Sequence, residues 1–466
     1  VKLFEFQIEG AKRLAKERQF GLFDEPGLGK TAELLCALQR GVPVLIVVPA
    51  SVKLNWAREA AAWRRDYRVL VCRTTREFRW PQPGEIVIAS YEILPPSERE
   101  IATLTARMTM LGTAKEQARE VSRLQAQIAR GQRQRKRLVK PKPGTVIVAD
   151  EAHRLKNGSA RRTGRWREMA TLAWASGGRI YLLTGSPLVN NPPELWTVLQ
   201  AAGLGTKAFG SRGAYDAAVA APGAVAAALQ TVSIRRLRVD VLPWLPPKTR
   251  ERRLVDVDPG TMKQLDELVA RLRARGVNLE IMTLEQIKRA SVDAQLSQFI
   301  AATRERLAVA KIPAVLDYVV DMEEQGVPLV VFSVHLRPVQ LLGRRKGWGR
   351  IVGEDSVTDR QRAVDAFQAG RLRGMAITSA GGEGITLTRA WCMPIIDTPW
   401  TPSALGQAED RIYRIGQKAR GVLFPRFVAN HPLEKRVDEI LIEKQGYIDT
   451  LVDASAVPGT PVPTAM

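Results

Sequence analysis

Two glycines, a lysine and a threonine close the run Phe23-Asp24-Glu25-Pro26-Gly27-Leu28-Gly29-Lys30-Thr31. Gly27 and Gly29 permit a turn tight enough for the N–H groups around Leu28 to aim at phosphate oxygens. A helix starting near Lys30 would add its positive end. Lys30 could then reach the β- and γ-phosphates of a nucleotide, and the Thr31 hydroxyl could hold Mg²⁺. Asp24 stands where the strict phosphate-loop pattern wants glycine. A ligand-free strand-to-helix turn is the plain alternative.

Chemistry of a complementary kind sits at Asp150-Glu151-Ala152-His153, behind the apolar run Thr145 to Ala149. Asp150 can hold Mg²⁺, while Glu151 can take a proton from a water attacking the terminal phosphate. Thr184 and Ser186 follow another apolar run, Ile180 to Leu183, and could couple the phosphate to a partner bound elsewhere. Gln7 offers donor and acceptor together, which suits the edge of adenine. Far downstream, Gln407, Arg411 and Arg414 recur at helical spacing, so one helix face is expected to present an amide and two guanidiniums. Arginines so presented can stabilise charge developing on a transferred phosphoryl group.

Positioning these groups requires strand ends. Val44–Val48, Val69–Val71, Ile86–Ala89, Thr145–Ala149 and Ile180–Leu183 are short apolar runs separated by helical stretches, the pattern of a doubly wound parallel sheet. Ligands bind such sheets at the carboxyl ends of strands, where the phosphate loop, Ser51 and Ser90 fall. A second series (Leu329–Phe332, Ile351–Gly353, Met375–Thr378, Met393–Asp397) predicts another α/β unit, whose Gly-rich loop lacks Lys-Thr. Between Lys248 and Lys311 the pattern is helical and charged, with no strand signal until Leu329.

At 466 residues and a formal charge of +22 the chain is multidomain and calls for a polyanionic partner. No apolar run reaches the length of a spanning helix, so a membrane is not expected. Cys36, Cys72 and Cys392 with His153, His335 and His431 have no zinc-ligand spacing. Residues 98–142 hold 12 Lys/Arg against 4 Asp/Glu. Ile101, Leu104, Met108 and Leu111, then Val121, Leu124 and Ile128, predict a helical hairpin or a broken helix. Its Arg133, Arg135, Lys136 and Arg137 are candidates for contact with a nucleic-acid backbone, against the ordinary reading of a solvated face.

In order, these motifs resemble helicase superfamily two, and within it the SWI/SNF-like DNA translocase branch. Phe6-Gln7 resembles the adenine-reading motif, Asp24 to Thr31 motif I, Val48 to Trp56 motif Ia, and Asp150 to His153 motif II with the letters DEAH. Leu183 to Pro187, Val330 to His335, Ser379 to Thr388 and Gln407 to Gln417 are similar to motifs III to VI. The run Ile234 to Lys248 looks like the branch's segment closing the first lobe. The resemblance implies an α/β fold of two RecA-like parallel-sheet lobes with helical insertions, with ATP and Mg²⁺ as cofactors. It further implies nucleotide contacts from Gly384 and Gln407, and DNA contacts from Ser51, Lys53, Ser90, Tyr91, Ser379 and Thr386.

The expected organisation is a first lobe at 1–250, including a basic helical insertion at 98–142 and a helical appendage at 203–247. A helical linker at 251–312, a second lobe at 313–452 and a disordered tail at 453–466 follow. The expected function is an ATP-dependent translocase on duplex DNA that remodels protein–DNA complexes or branched DNA. It would act as a monomer on the DNA backbone without sequence specificity, in the cytoplasm of a prokaryote or a virus-infected host cell. A strand-separating helicase on DNA or RNA is the second reading. A basic nucleic-acid-binding scaffold with an inactive nucleotide site is the third.

Overall fold

The computed structural model describes residues 2–111, 118–136, 140–274, 294–382 and 384–453. The chain forms two compact units, one of Val1–Val241 with Tyr447–Met466 and one of Leu242–Gly446.

The first unit is built on a seven-stranded, wholly parallel sheet. Its strands are β1 (Gln19–Leu22), β2 (Val44–Val48), β3 (Arg68–Val71), β4 (Glu85–Ser90), β5 (Val146–Asp150), β6 (Arg179–Leu183) and β7 (Ser233–Ile234), in the spatial order β3-β4-β2-β5-β6-β1-β7. Every residue of β2 and β4 is buried, as expected of a sheet covered on both faces. Leu45, Val47, Val87 and Ile147 pack on one face with Trp166, Met169 and Leu199. Leu34, Leu35, Trp56 and Ala60 cover Ile46, Ile88 and Val148 on the other. The order places β6 between β5 and β1, so the turns after β5, β6 and β1 come together along one edge of the sheet.

Among the described residues of 98–142, the helices Glu98–Leu111 and Ala118–Lys136 pack against each other, with Leu124 and Ile128 buried at the expected helical spacing. The appendage consists of helices Leu204–Phe209, Arg212–Val219, Ala224–Val232 and Arg238–Val241, interrupted by β7, a strand too short to show an apolar pattern.

In the second unit β9 (Leu329–Ser333), β10 (Trp348–Ile351) and β11 (Gly374–Thr378) form a parallel sheet in the order β10-β11-β9. The absence of strand signal after Lys248 misled: Lys248–Val255 is a strand, β8, parallel to β12 (Val422–Ala429) along its whole length. Its sequence Lys-Thr-Arg-Glu-Arg-Arg-Leu-Val carries charge where a buried strand would carry aliphatic residues, because much of β8 is exposed. The expected strand at 393–397 appears instead as isolated bridges joining β9 to β12 through Cys392 and Ile395. Pro394 lacks the N–H a continuous ladder needs.

Candidate active site

β1, Gln-Phe-Gly-Leu, carries no ionisable or nucleophilic side chain; its task is to deliver the loop at its carboxyl end. Gly27 and Gly29 both adopt φ +85°, and Gly29 caps the helix Lys30–Ala37 in the left-handed conformation. A side chain at Gly29 would also meet the Gln7 amide, whose Nε2 lies 2.3 Å from where a Cβ would stand. Lys30 Nζ donates to the carbonyls of Asp24 at 2.6 Å and Glu25 at 3.1 Å. Burial lowers its affinity for a proton, against the pull of Asp24, Glu151, Asp150 and Glu33. Thr31 is half-buried in the first turn of the helix.

Asp150 ends β5, and its carboxylate takes hydrogen bonds from neutral donors: the Trp56 indole at 2.6 Å and the Glu151 N–H at 2.9 Å. Burial, reinforced by the neighbouring Glu151 charge, pushes the Asp150 carboxyl up to about 6. Glu151 has φ +49° and ψ +49°; among the described residues it is the one non-glycine at positive φ. Backbone in that region costs of order 1–3 kcal/mol and persists where the surroundings over-determine it. His153 is one of those surroundings: its Nδ1 lies 3.2 Å from Glu151 Oε2 and 3.0 Å from Thr184 Oγ1. The fully buried Thr184 hydroxyl also accepts from the Ser186 N–H at 3.1 Å. Glu151, His153, Thr184 and Ser186 thus form a continuous polar path between the turns after β5 and β6. A side chain at Gly185 would strike the Pro26 ring 2.5 Å away, so only glycine lets the turn after β6 lie against the phosphate loop.

Other expected contacts look different once packed. The Gln7 amide is 5 % exposed; Oε1 accepts from the Phe4 N–H at 3.0 Å and Nε2 donates to the Leu28 carbonyl at 2.8 Å. It therefore pins the loop to the helix Glu5–Lys16 instead of presenting an open edge. Ser90 and Tyr91 are corrected as DNA contacts: Ser90 is buried at the end of β4, and Tyr91 is wholly buried with its hydroxyl donating to the Asp150 carbonyl at 2.6 Å. Ser51 is exposed, while Lys53 donates to the Cys72 carbonyl at 3.0 Å. Arg135 is also corrected. It binds Glu98 at 2.6 Å, Glu168 and the Pro96 carbonyl, fastening the hairpin to its base. Arg133 on the same helix is exposed, Lys136 ends the helix, and Arg137 lies outside the described residues.

In the second unit the single helix face expected for Gln407, Arg411 and Arg414 does not form. The helix Pro402–Glu409 ends before both arginines, and Gln407 is half-buried on it. Arg411 and Arg414 sit in an irregular turn closed by Gly416 at φ +99° and by Gln417, whose amide donates to the carbonyls of Ala390 and Ile412, both at 2.8 Å. Arg414 Nη1 donates to Thr386 Oγ1 at 2.9 Å, and the Arg411 carbonyl accepts from the Leu387 N–H at 2.8 Å. The turn is thereby tied to the segment carrying Ser379, which is exposed, and Gly384, at φ +76°.

A cluster that spacing could not reveal supports the phosphate loop from behind. Asp24 and Glu33, both fully buried, share the Arg236 guanidinium, at 2.5 Å and 2.6 Å. The Arg236 N–H also donates to Asp24, at 2.9 Å. Arg235 donates to the Phe23 carbonyl at 2.8 Å, and the Arg238 N–H to Glu25 at 2.5 Å. Asp24 and Glu25 are thus anchoring acids. A hint lay in the run Arg235-Arg236-Leu237-Arg238, but partners 212 residues apart are not legible in spacing.

A family model described as SNF2-related domain matches residues 6–307, and one described as Helicase conserved C-terminal domain matches residues 310–416. The mouse protein "DNA annealing helicase and endonuclease ZRANB3" is 27 % identical over 478 residues, 95 % of this chain and 40 % of that protein. The Xenopus tropicalis protein "SWI/SNF-related matrix-associated actin-dependent regulator of chromatin subfamily A-like protein 1" is 27 % identical over 442 residues, 89 % of this chain and 41 % of that protein. The chain spans about 40 % of the length of these relatives. They are animal proteins, one named as a regulator of chromatin, which corrects the expectation of a cytoplasmic engine from a prokaryote or virus-infected cell. The solved structure "Sulfolobus solfataricus SWI2/SNF2 ATPase core in complex with dsDNA" is 19 % identical, with a TM-score of 0.39, covering 98 % of this chain and 94 % of that one.

Proposed function

The chain belongs to the SNF2-related domain family, and on that premise we propose that it is an ATP-driven translocase on duplex DNA that remodels protein–DNA complexes or branched DNA. The observation that carries this reading is the convergence of Lys30, Asp150 and Glu151 at one edge of the parallel sheet, near enough that both acids bias the Lys30 amine. Gly27, Leu28, Gly29 and Lys30 would bind the phosphates. The hard oxygen donors of Thr31 and Asp150 suit Mg²⁺, and the Asp150 carboxylate, which takes hydrogen bonds from the neutral Trp56 indole and Glu151 N–H, fits a site where a divalent cation would offset its charge. Bound there, Mg²⁺ would neutralise phosphate charge.

Glu151 is the general base, taking the proton of the attacking water while His153 orients its carboxylate. Thr184 and Ser186 relay the state of that carboxylate to the turn after β6. Arg411 and Arg414 supply the positive charge that the transition state requires, with Gly384 and Gln407 contributing to nucleotide contact. DNA contact is assigned to the backbone, through Ser51, Lys53, Ser379, Thr386 and the exposed Arg133 with its neighbours Lys136 and Arg137.

ATPase rate measured against single-stranded DNA, duplex DNA, forked DNA and RNA tests the reading. Stimulation by duplex without release of a labelled strand is expected. Strand release would establish the helicase alternative, and no turnover with any nucleic acid would leave only the scaffold.

A further inference from the structure

Glu409 immediately precedes the arginine-bearing turn, and its carboxylate is fully buried in the second unit. Strand β8 reaches it with two cations: Arg250 donates through Nε at 2.8 Å and Nη2 at 2.7 Å, and Lys248 Nζ lies at 2.5 Å. Burial drives the Glu409 carboxyl upward, yet Arg250 and Lys248 outweigh it and hold the group ionised below its ordinary range. Lys248 also stands 5.3 Å from the ring centroids of Tyr413 and Phe424. One ammonium therefore touches both ends of the turn, a carboxylate at 409 and a ring at 413. The Glu409 carbonyl closes it, accepting from the N–H groups of Ile412 at 3.1 Å and Tyr413 at 3.0 Å.

We propose that Glu409, clamped by Lys248 and Arg250, is a positioning residue that sets the direction of Arg411 and Arg414 and so governs the hydrolytic step. The inference rests on the arginine roles assigned in the preceding subsection. Attachment of β8 to the sheet does not need the cluster, because the ladder from Lys248↔Val422 to Ala429↔Val255 already provides it. A buried ion pair adds little net stability over a well-packed apolar replacement of both partners, whereas a two-pronged guanidinium contact fixes the plane of a carboxylate. What the cluster adds is orientation. The charged composition that hid β8 as a strand is the composition this task requires.

Single-turnover ATP hydrolysis with duplex DNA, KM for ATP and the melting temperature are to be measured for Glu409→Gln, Arg250→Met and Arg250→Lys. Glu409→Gln is to be made also in an Arg414→Ala background. A misdirected arginine predicts a fall of about 10-fold in hydrolysis for Glu409→Gln and Arg250→Met with KM within about 2-fold, and a smaller but measurable fall for Arg250→Lys, which keeps the charge and loses the two-pronged contact. With Arg414 already removed, Glu409→Gln should cost a smaller fold than in the wild-type background, since only its effect through Arg411 remains and residues acting through one another are not additive. An equal fold-loss in both backgrounds, or a lowered melting temperature with hydrolysis intact, overturns the proposal. Wild-type hydrolysis by Arg414→Ala alone would instead overturn the arginine assignment beneath it.

Discussion

Removing Arg236 should unmake the support of the phosphate loop in a way that depends on pH. Its guanidinium is shared by two fully buried carboxylates, Asp24 at 2.5 Å and Glu33 at 2.6 Å. Arg236→Met keeps most of the volume and leaves both acids without that cation. Breaking a buried pair by deleting one partner costs about 3–5 kcal/mol. At about 2–4 °C per kcal/mol for a domain of this size, the melting temperature should fall by roughly 6–20 °C. The sign of the pH effect follows from Glu33, whose carboxyl is pushed up to about 8 by burial and by Asp24 against a usual 4.5, with Arg236 opposing the rise. A raised folded-state value gives stability that is complete below about 4.5 and lost as pH climbs through about 8. Without Arg236 the rise is unopposed, so the variant should go on losing stability as pH passes about 8, where the wild-type loss levels off. Calorimetry at pH 5, 7, 8 and 9 measures this. A loss below about 3 °C at pH 8, or an equal loss at every pH, would refute the shared-cation argument.

Glu33→Gln, which retains an oxygen able to accept from Arg236, should match wild type near pH 5 and exceed it near pH 8 in a melting experiment. Lys30→Ala should abolish ATP turnover, while Glu151→Gln should retain nucleotide binding and stop hydrolysis; normal turnover in either variant defeats the site assignment. Arg133→Ala should lower the slope of DNA affinity against salt by about one unit. Arg135→Ala should leave that slope unchanged and instead lower thermal stability, because its contacts are Glu98, Glu168 and the Pro96 carbonyl. Thr184→Val, isosteric but unable to bond His153, should reduce DNA stimulation of the ATPase more than the basal rate, measured with and without duplex.

By itself the sequence determined what depends on near neighbours. Glycine freedom at Gly27 and Gly29, the aliphatic strands Val44–Val48 and Val146–Asp150 and the acids at the end of the latter are local properties, and the parallel sheet follows from their alternation with helices. The tertiary structure decided which groups are spent. Tyr91 and Ser90 read as surface at a strand end but are enclosed, and Arg135 reads as free charge but is committed to two glutamates. Helical spacing from Gln407 to Arg414 suggested one face, yet Glu409 turns inward to Lys248 and Arg250 and the helix stops there. Charge in β8 and in the run 235–238 gave no periodic signal, because those residues answer carboxylates remote in the chain. A buried charge must find its counter-ion wherever folding brings one, and only the folded chain specifies where that is.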